Sequence, residues 1–504
     1  MRKRCGRGAW IGVWGAMLVS VPVFADDPPG REVVIMSASP WVGMEPEFKG
    51  KFKTGVQRLF TGESPFGVYD PRIEDAKRRL VEEIRRIDRA SRKKANWIAR
   101  VTNIEPFANK YSEPARGETI TDYKVHLELP DLSEFWFVVS ADPATVEAQT
   151  MPVSFEEMHD KFQRVLDTYL YGAGSRVGLT PRVSLASNHF HLGTATAFYK
   201  NEIVPVQVLA EDGKTLKTVN LFRPVEEQAG VFRDYAVSLF NNPALAYFAD
   251  DNYIFTNAPH PTWIPKLHQR LESVIFDWDL NPTSVQDLAS AIQNAYVETS
   301  PINPAKHHPE KYVFYNMTRT ANSSANYRTA HFDQLTIPKT FGSAEELEAF
   351  LKKSGLEAFY QQTTEMRGIG GQATLENYVA IMQLYVDRLE YVRRRRLDKS
   401  LKIPLLEFGA PYSAEHGANQ LMFFVRETYE GLGRSEKEVS AAWKKYARLI
   451  RQDSIRAQAV GLRPYDLSLG DLYVRAYRDS WKNRYRENCT WLFQSSMNAM
   501  PDSK

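Results

Sequence analysis

Two spacings of apolar residues alternate along the chain. Recurrence at every second position predicts strands over Val33–Met36, Val42–Phe48, Tyr123–Leu129, Glu134–Ser140, Val183–Gly193, Lys311–Asn316 and Thr363–Gly368. Recurrence at three and four predicts helices over Pro71–Ile98, Phe155–Tyr171 (ending at Gly172), Val231–Phe248, Trp263–Ile275, Ala344–Lys353 and Thr374–Arg395. In the last of these Leu375, Val379, Met382, Val386 and Leu389 form one apolar stripe. The end, about 412–485, reads as charged helix. No internal repeat and no regular βαβ rhythm emerges, so the expected class is α+β with an antiparallel sheet.

The first residues follow neither spacing. Met1–Arg7 is basic, Ala9–Val23 is apolar, and Val23-Phe24-Ala25 offers a small-residue cleavage site. This is the three-part pattern of a secretory signal, and it predicts an exported chain, periplasmic or secreted. An uncleaved anchor is the other reading, although the apolar run is short for a span. No later stretch is long and apolar enough to cross a bilayer, so no transmembrane segment is expected in the mature chain. The expected units are a signal at 1–25, a catalytic domain at 26–396 and a helical extension at 397–504.

Charge and cysteine content narrow the function. The formal net charge is +3, and Arg2, Lys3, Arg4 and Arg7 lie in the signal without an acid among them. The mature chain is close to neutral, which gives no electrostatic case for nucleic acid. With 2 Cys in 504 residues, Cys5 and Cys489, disulfide frameworks and cysteine-based metal sites are excluded. The run Arg393–Arg396 closes a predicted helix, where cations complement the helix dipole.

Three strands each carry chemistry at positions i and i+2, which places both side chains on one face. The first holds Glu45 and Glu47, the second His189 and His191, the third Glu365 and Arg367. Paired carboxylates repel, and a cation relieves them. Paired imidazoles supply nitrogens to a metal or bonds to a phosphate. A carboxylate beside a guanidinium suits a metal next to phosphate or carboxylate oxygens. Each pair also has a plainer reading. The glutamates fit the outward face of an edge strand, for which Pro46 argues. The histidines fit a core position and a hydrogen bond. Glu365 and Arg367 fit an ordinary ion pair. If the three strands are neighbours, one sheet face becomes a multi-metal, polyphosphate-handling surface.

The order of these motifs resembles the putative amidoligase family, relatives of glutamine synthetase and of the glutamate–cysteine ligases. The resemblance rests on Gly43-Met44-Glu45-Pro46-Glu47, then on Phe135–Asp142 with Thr145-Val146-Glu147. It continues through Ser187–Gly193 around His189 and His191, Lys311–Asn316, and Thr363-Thr364-Glu365-Met366-Arg367 before the helix Leu375–Val392. It spans roughly Val42–Tyr391. Residues 147–154 depart from the family's turn, and Asn188 stands where glycine is usual.

The resemblance implies a curved antiparallel sheet of glutamine-synthetase-like type with helices packed behind it. Glu45, Glu47, Glu147, His191 and Glu365 would hold two or three divalent ions, magnesium or manganese. Arg367 would stabilise the transferring phosphoryl group, assisted by Arg319 or Arg328, and His189 would orient substrate or a ligand. Lys311, Asn316 and Arg367 would contact ATP. The implied activity joins a small-molecule or peptide carboxylate to an amine through an acyl phosphate. Export raises an objection, because the periplasm and the medium hold little ATP. Delivery into another cell, a different start site, or loss of ATP use would each resolve it. The last of these leaves an exported metal-dependent hydrolase, with a zinc-like ion at His189 and His191, or a non-catalytic envelope binding protein.

Overall fold

The computed structural model describes residues 34–35, 39–51, 71–93, 96–108, 120–142, 145–181, 188–210, 213–241, 263–299, 319–321, 335–366, 372, 374–397, 403 and 414–459. The chain is α+β and its sheets are mostly antiparallel. The first part runs β1 (Val34–Ile35), β2 (Trp41–Lys49), α1 (Pro71–Ser91), β3 (Arg100–Ala108), β4 (Thr121–Glu128), β5 (Glu134–Asp142), β6 (Thr145–Thr150) and β7 (Val153–Ser154). A continuous helix, α2, covers 155–176 and includes two π-type stretches. Next come β8 (Thr180–Pro181), β9 (Asn188–Gly193), α3 (Thr194–Ala197), β10 (Tyr199–Leu209), β11 (Leu216–Glu227), α4 (Ala229–Phe240), α5 (Trp263–Leu280) and α6 (Val285–Thr299). The last part is β12 (Arg319–Ala321), β13 (Thr340–Phe341), α7 (Ala344–Ser354), α8 (Leu356–Tyr360), β14 (Thr363–Met366), α9 (Leu375–Leu397), α10 (Ala414–Gly431) and α11 (Glu436–Ala459).

The larger sheet has the order β12-β14-β9-β2-β6-β5-β4-β3, with β7 and β8 also pairing with β2. The smaller one has the order β1-β10-β11, with β13 added in parallel to β10. The central strand β2 obeys the period of two. Val42, Met44 and Phe48 are buried on one face, together with Phe190 and Leu192 of β9 and Val146 and Ala148 of β6. Helix α1 packs on that apolar face, and Tyr171 of α2 stands edge-on to Phe48 with ring centroids 5.2 Å apart. Phe190 packs edge-on against Tyr385 of α9, with ring centroids 5.5 Å apart. The charged residues of the same strands therefore take the opposite face.

Pro46 does not mark an edge, because β2 lies inside the sheet. Met44 directs its N–H toward Thr150 Oγ1 at 2.9 Å, and Pro46, two residues on, points the same way. On that side β7 pairs with β2 at Trp41 and Val42, and β6 pairs at Glu47 and Phe48. Pro46 falls between these two ladders, where its missing donor is not needed.

Several boundaries differ from the sequence expectation for local reasons. Helix α1 stops at Ser91 rather than Ile98. The carboxylate of Asp88 accepts from Arg92 Nε at 2.8 Å and from the backbone N–H of Val101 at 2.9 Å, which turns the chain into β3. Helix α2 starts on a capping box, with Ser154 Oγ accepting from the N–H of Glu157. It continues past Gly172 to Arg176 because Gly172 lies in a π-type turn. A Cβ there would lie 2.9 Å from the carbonyl oxygen of Asp167, so glycine permits the turn instead of ending the helix. The long C-terminal pattern is two helices, broken at Gly433 with φ of +76°. The strands β3, β6, β10 and β11 and the helix α6 were not anticipated. The signal segment, the strand expected at Lys311–Asn316 and positions 460–485 lie outside the described residues. Among the described residues no helix is long and apolar enough to cross a membrane.

The arginines that close α9 are tethers more than dipole partners. Arg393 is buried and donates to the carbonyl oxygens of Thr196 and Ala197 in α3. Burial pulls its guanidinium down to about 10. Arg396 reaches Asp234 of α4 at 2.6 Å, and Arg395 reaches Glu427 of α10 at 3.1 Å. Arg388, about two turns before Arg395, bonds Glu427 and Thr428 of the same helix. Replacing Arg393 by Met leaves buried carbonyls without donors and should cost about 3 kcal/mol of stability in urea unfolding. Arg394→Ala, on the exposed side, should cost about 0.5 kcal/mol or less by the same measurement.

Candidate metal centre

The three strands that carry the paired residues are neighbours. In the β2–β9 ladder Glu45 faces His189 and Gly43 faces His191. In the β9–β14 ladder His191 faces Glu365. On the other side of β2, Glu47 faces Glu147 of β6. Residues opposite each other in a ladder share a face, so Glu45, Glu47, Glu147, His189, His191 and Glu365 all take the side away from the apolar core.

Two groups form on this face. In the first, ligand atoms of Glu45, His191 and Glu365 all lie within 4.8 Å of one another. His191 Nε2 is 3.3 Å from Glu45 Oε2, and His189 Nδ1 is 3.2 Å from Glu365 Oε1 and 3.8 Å from Glu45 Oε2. The imidazoles thus separate the carboxylates. The second group is the directly paired Glu47 and Glu147, and Gln149 Nε2 donates to Glu147 Oε1 at 2.9 Å. Two residues of extended chain separate Glu45 from Glu47, about 7 Å.

Burial sharpens these contacts. His189, Glu47 and Glu365 are all buried. Burial pushes the Glu45 carboxyl up, but His191 and His189 together outweigh it and hold the group well below its usual range. His189 is fixed from below, because the Tyr378 hydroxyl of α9 donates to its backbone carbonyl. Burial raises that hydroxyl far above its ordinary value, so it remains a donor. His191 is fixed from the side by the Thr363 hydroxyl, 3.0 Å from Nδ1. The β9–β14 register supplies this contact, since Thr363 stands two residues before Glu365 on the same face. Sequence reasoning passed over Thr363, although a hydroxyl at that spacing was the available signal.

The donor set suits cations. Imidazole nitrogens with carboxylate oxygens fit zinc or manganese, and the all-oxygen pair Glu47 and Glu147 fits magnesium or manganese. His189 Nε2 is buried without a hydrogen-bond partner among the described residues, which leaves a nitrogen available on the site face. Of the remaining candidates, Arg319 lies in β12 in register with Glu365. Arg367, Arg328, Lys311 and Asn316 lie outside the described residues.

If Thr363 sets the tautomer of His191, Thr363→Val should weaken manganese or zinc binding about 10- to 100-fold in calorimetric titration of metal-stripped protein. Thr363→Ser should retain it, and equal affinities for all three proteins would show that the hydroxyl does not orient the ring. No family model matches the chain, and no curated protein sequence matches it.

Proposed function

We propose that the chain is an ATP- and magnesium-dependent carboxylate–amine ligase of glutamine-synthetase-like architecture. One observation carries this reading. Three motifs far apart in sequence, around Glu45, His191 and Glu365, occupy adjacent strands and put their charged residues on one face. The sheet adds Glu147 opposite Glu47, the fourth position expected from the resemblance.

The chemistry to be solved is the approach of one anion to another. A carboxylate oxygen of the acid attacks the γ-phosphorus of ATP, and ADP leaves. The amine nitrogen then attacks the acyl carbon, inorganic phosphate leaves, and the nitrogen gives up a proton to form the amide. Divalent ions held by Glu45, His191 and Glu365 and by Glu47 and Glu147 would neutralise the phosphate oxygens. His189, between two carboxylates, keeps Glu365 and Glu45 oriented and limits their mutual repulsion. Thr363 turns the His191 ring toward Glu45. Tyr378 holds the backbone of β9 at the height of the site. Arg367, with Arg319 or Arg328, takes the role of stabilising the transferred phosphoryl group, and Lys311 and Asn316 that of contacting the nucleotide.

A second reading has its own observation in favour. The imidazole-rich half of the site, with an available nitrogen at His189, is a donor set for zinc and an activated water. An exported metal-dependent hydrolase would use it without nucleotide. The ligase reading requires a compartment containing ATP, reached by delivery of the exported chain or through a different start site.

Melting of metal-stripped residues 26–504 separates the two. The ligase predicts a rise with magnesium plus a non-hydrolysable ATP analogue that neither component gives alone, worth about 2.7 kcal/mol at a hundred times Kd. Glu45→Ala and Glu365→Ala should abolish it. A rise with zinc alone that ignores nucleotide would sink the ligase and favour the hydrolase.

A further inference from the structure

The sheet face that carries the candidate metal centre continues past β6 onto β5 and β4, and its character changes there. In the β4–β5 ladder His126 lies directly opposite Trp136. Lys124, two residues from His126, shares that face and stands over the indole, with Nζ 4.2 Å from the ring centroid. We propose that Lys124, His126 and Trp136 form a recognition subsite for a carboxylate at the far end of an elongated, peptide-sized acid. This deepens the ligase reading and rests on it for the identity of the reacting end.

Three observations converge on the subsite. Lys124 is buried at 7% exposure, and no carboxylate among the described residues lies within 4 Å of its ammonium. Glu105 of β3 stands opposite it in register and acts on it through space, without a contact. Trp136 Nε1, a donor, and His126 Nε2 are both buried without hydrogen-bond partners among the described residues. A largely buried lysine and an indole N–H that has no hydrogen-bond partner among the described residues are together suited to a carboxylate. The stacking of Lys124 on Trp136 keeps the cation in place when no acid is there.

The surrounding charges are consistent with this role. Burial lowers the Lys124 ammonium, and Glu105 partly restores it. Burial and the nearby Lys124 both lower His126, against the pull of Glu105 at 3.8 Å. A neutral imidazole donates one N–H, so three donors can face one anion.

Distance sets the size of the substrate. From β4 to β6 is two strand spacings, about 10 Å, and Lys124 lies two residues, about 7 Å, along the strands from the level of Glu147, so the two are about 12 Å apart and Glu47, one strand further, is about 16 Å from Lys124. An extended chain covers about 3.3 Å per residue, so about four to five residues connect the subsite to the carboxylates of the metal centre. A single amino acid is too short to engage both ends.

Binding can be measured by calorimetry in EDTA without nucleotide, on residues 26–504. The probes are tetra-alanine, tetra-alanine amide and inorganic phosphate. The expected result is that tetra-alanine binds at least about tenfold more tightly than its amide and than phosphate. Lys124→Met should remove most of that preference, and Trp136→Phe, which keeps the ring and deletes the N–H, should reduce it. Lys124→Arg should preserve it. Equal binding of acid and amide, binding of neither, or phosphate matching the acid would each overturn the proposal, and all three are read on the wild-type protein. The same preference should persist in Glu45→Ala. Failure of the nucleotide-dependent melting shift therefore leaves this test standing, and failure here leaves the shift untouched.

Discussion

The register of β2 between β9 and β6 is the constraint on which everything else rests. Val42, Met44 and Phe48 must face the helices, and this obliges Glu45 and Glu47 to face away. A slip of one residue would bury two carboxylates in the apolar layer and expose Met44 and Phe48. The cost of an unpaired buried charge far exceeds what either ladder gains, so the core fixes the site. The same argument runs through β9, where Phe190 and Leu192 hold His189 and His191 on the opposite side. Packing behind the sheet and chemistry in front of it are two consequences of one alternation.

That alternation was legible in the sequence, and adjacency was not. The pairs at 45 and 47, at 189 and 191, and at 365 announce themselves because a strand repeats every two residues. Which strands pair is decided by contacts between residues more than a hundred positions apart, such as Met44 N–H with Thr150 and Tyr378 with His189. No local pattern encodes these. The resemblance supplied the order of motifs, and the ladders supply the neighbours. Other misses have different causes. Helix α6 carries Val285, Leu288, Ala289, Ile292 and Ala295, a periodic stripe that was present to be read. Strand β3 has a mostly exposed pattern, so alternation could not reveal it. The Pro46 argument failed because a proline forbids only its own hydrogen bond, and a central strand can have a gap on one side.

The helix behind the site does more than fill space. Along α9, Tyr378 grips β9 from beneath, Tyr385 packs on Phe190, and Arg393 grips α3, which follows β9 directly. The helix is thus bonded to both ends of the segment that presents the two histidines. Farther along, Arg388 and Arg395 share Glu427, and Asp387 meets Tyr429, so α10 packs on the same helix. A run of four arginines that the sequence reads as complementing a helix dipole is divided among separate partners.

The charges of the site face are interleaved with one another. Three carboxylates crowd around β2 and β14, and their repulsion alone would spread the strands apart. The imidazoles are interleaved with them, each within 4 Å of an acid, and the low position of Glu45 is the signature of that compensation. Such a centre is balanced rather than rigidly neutral.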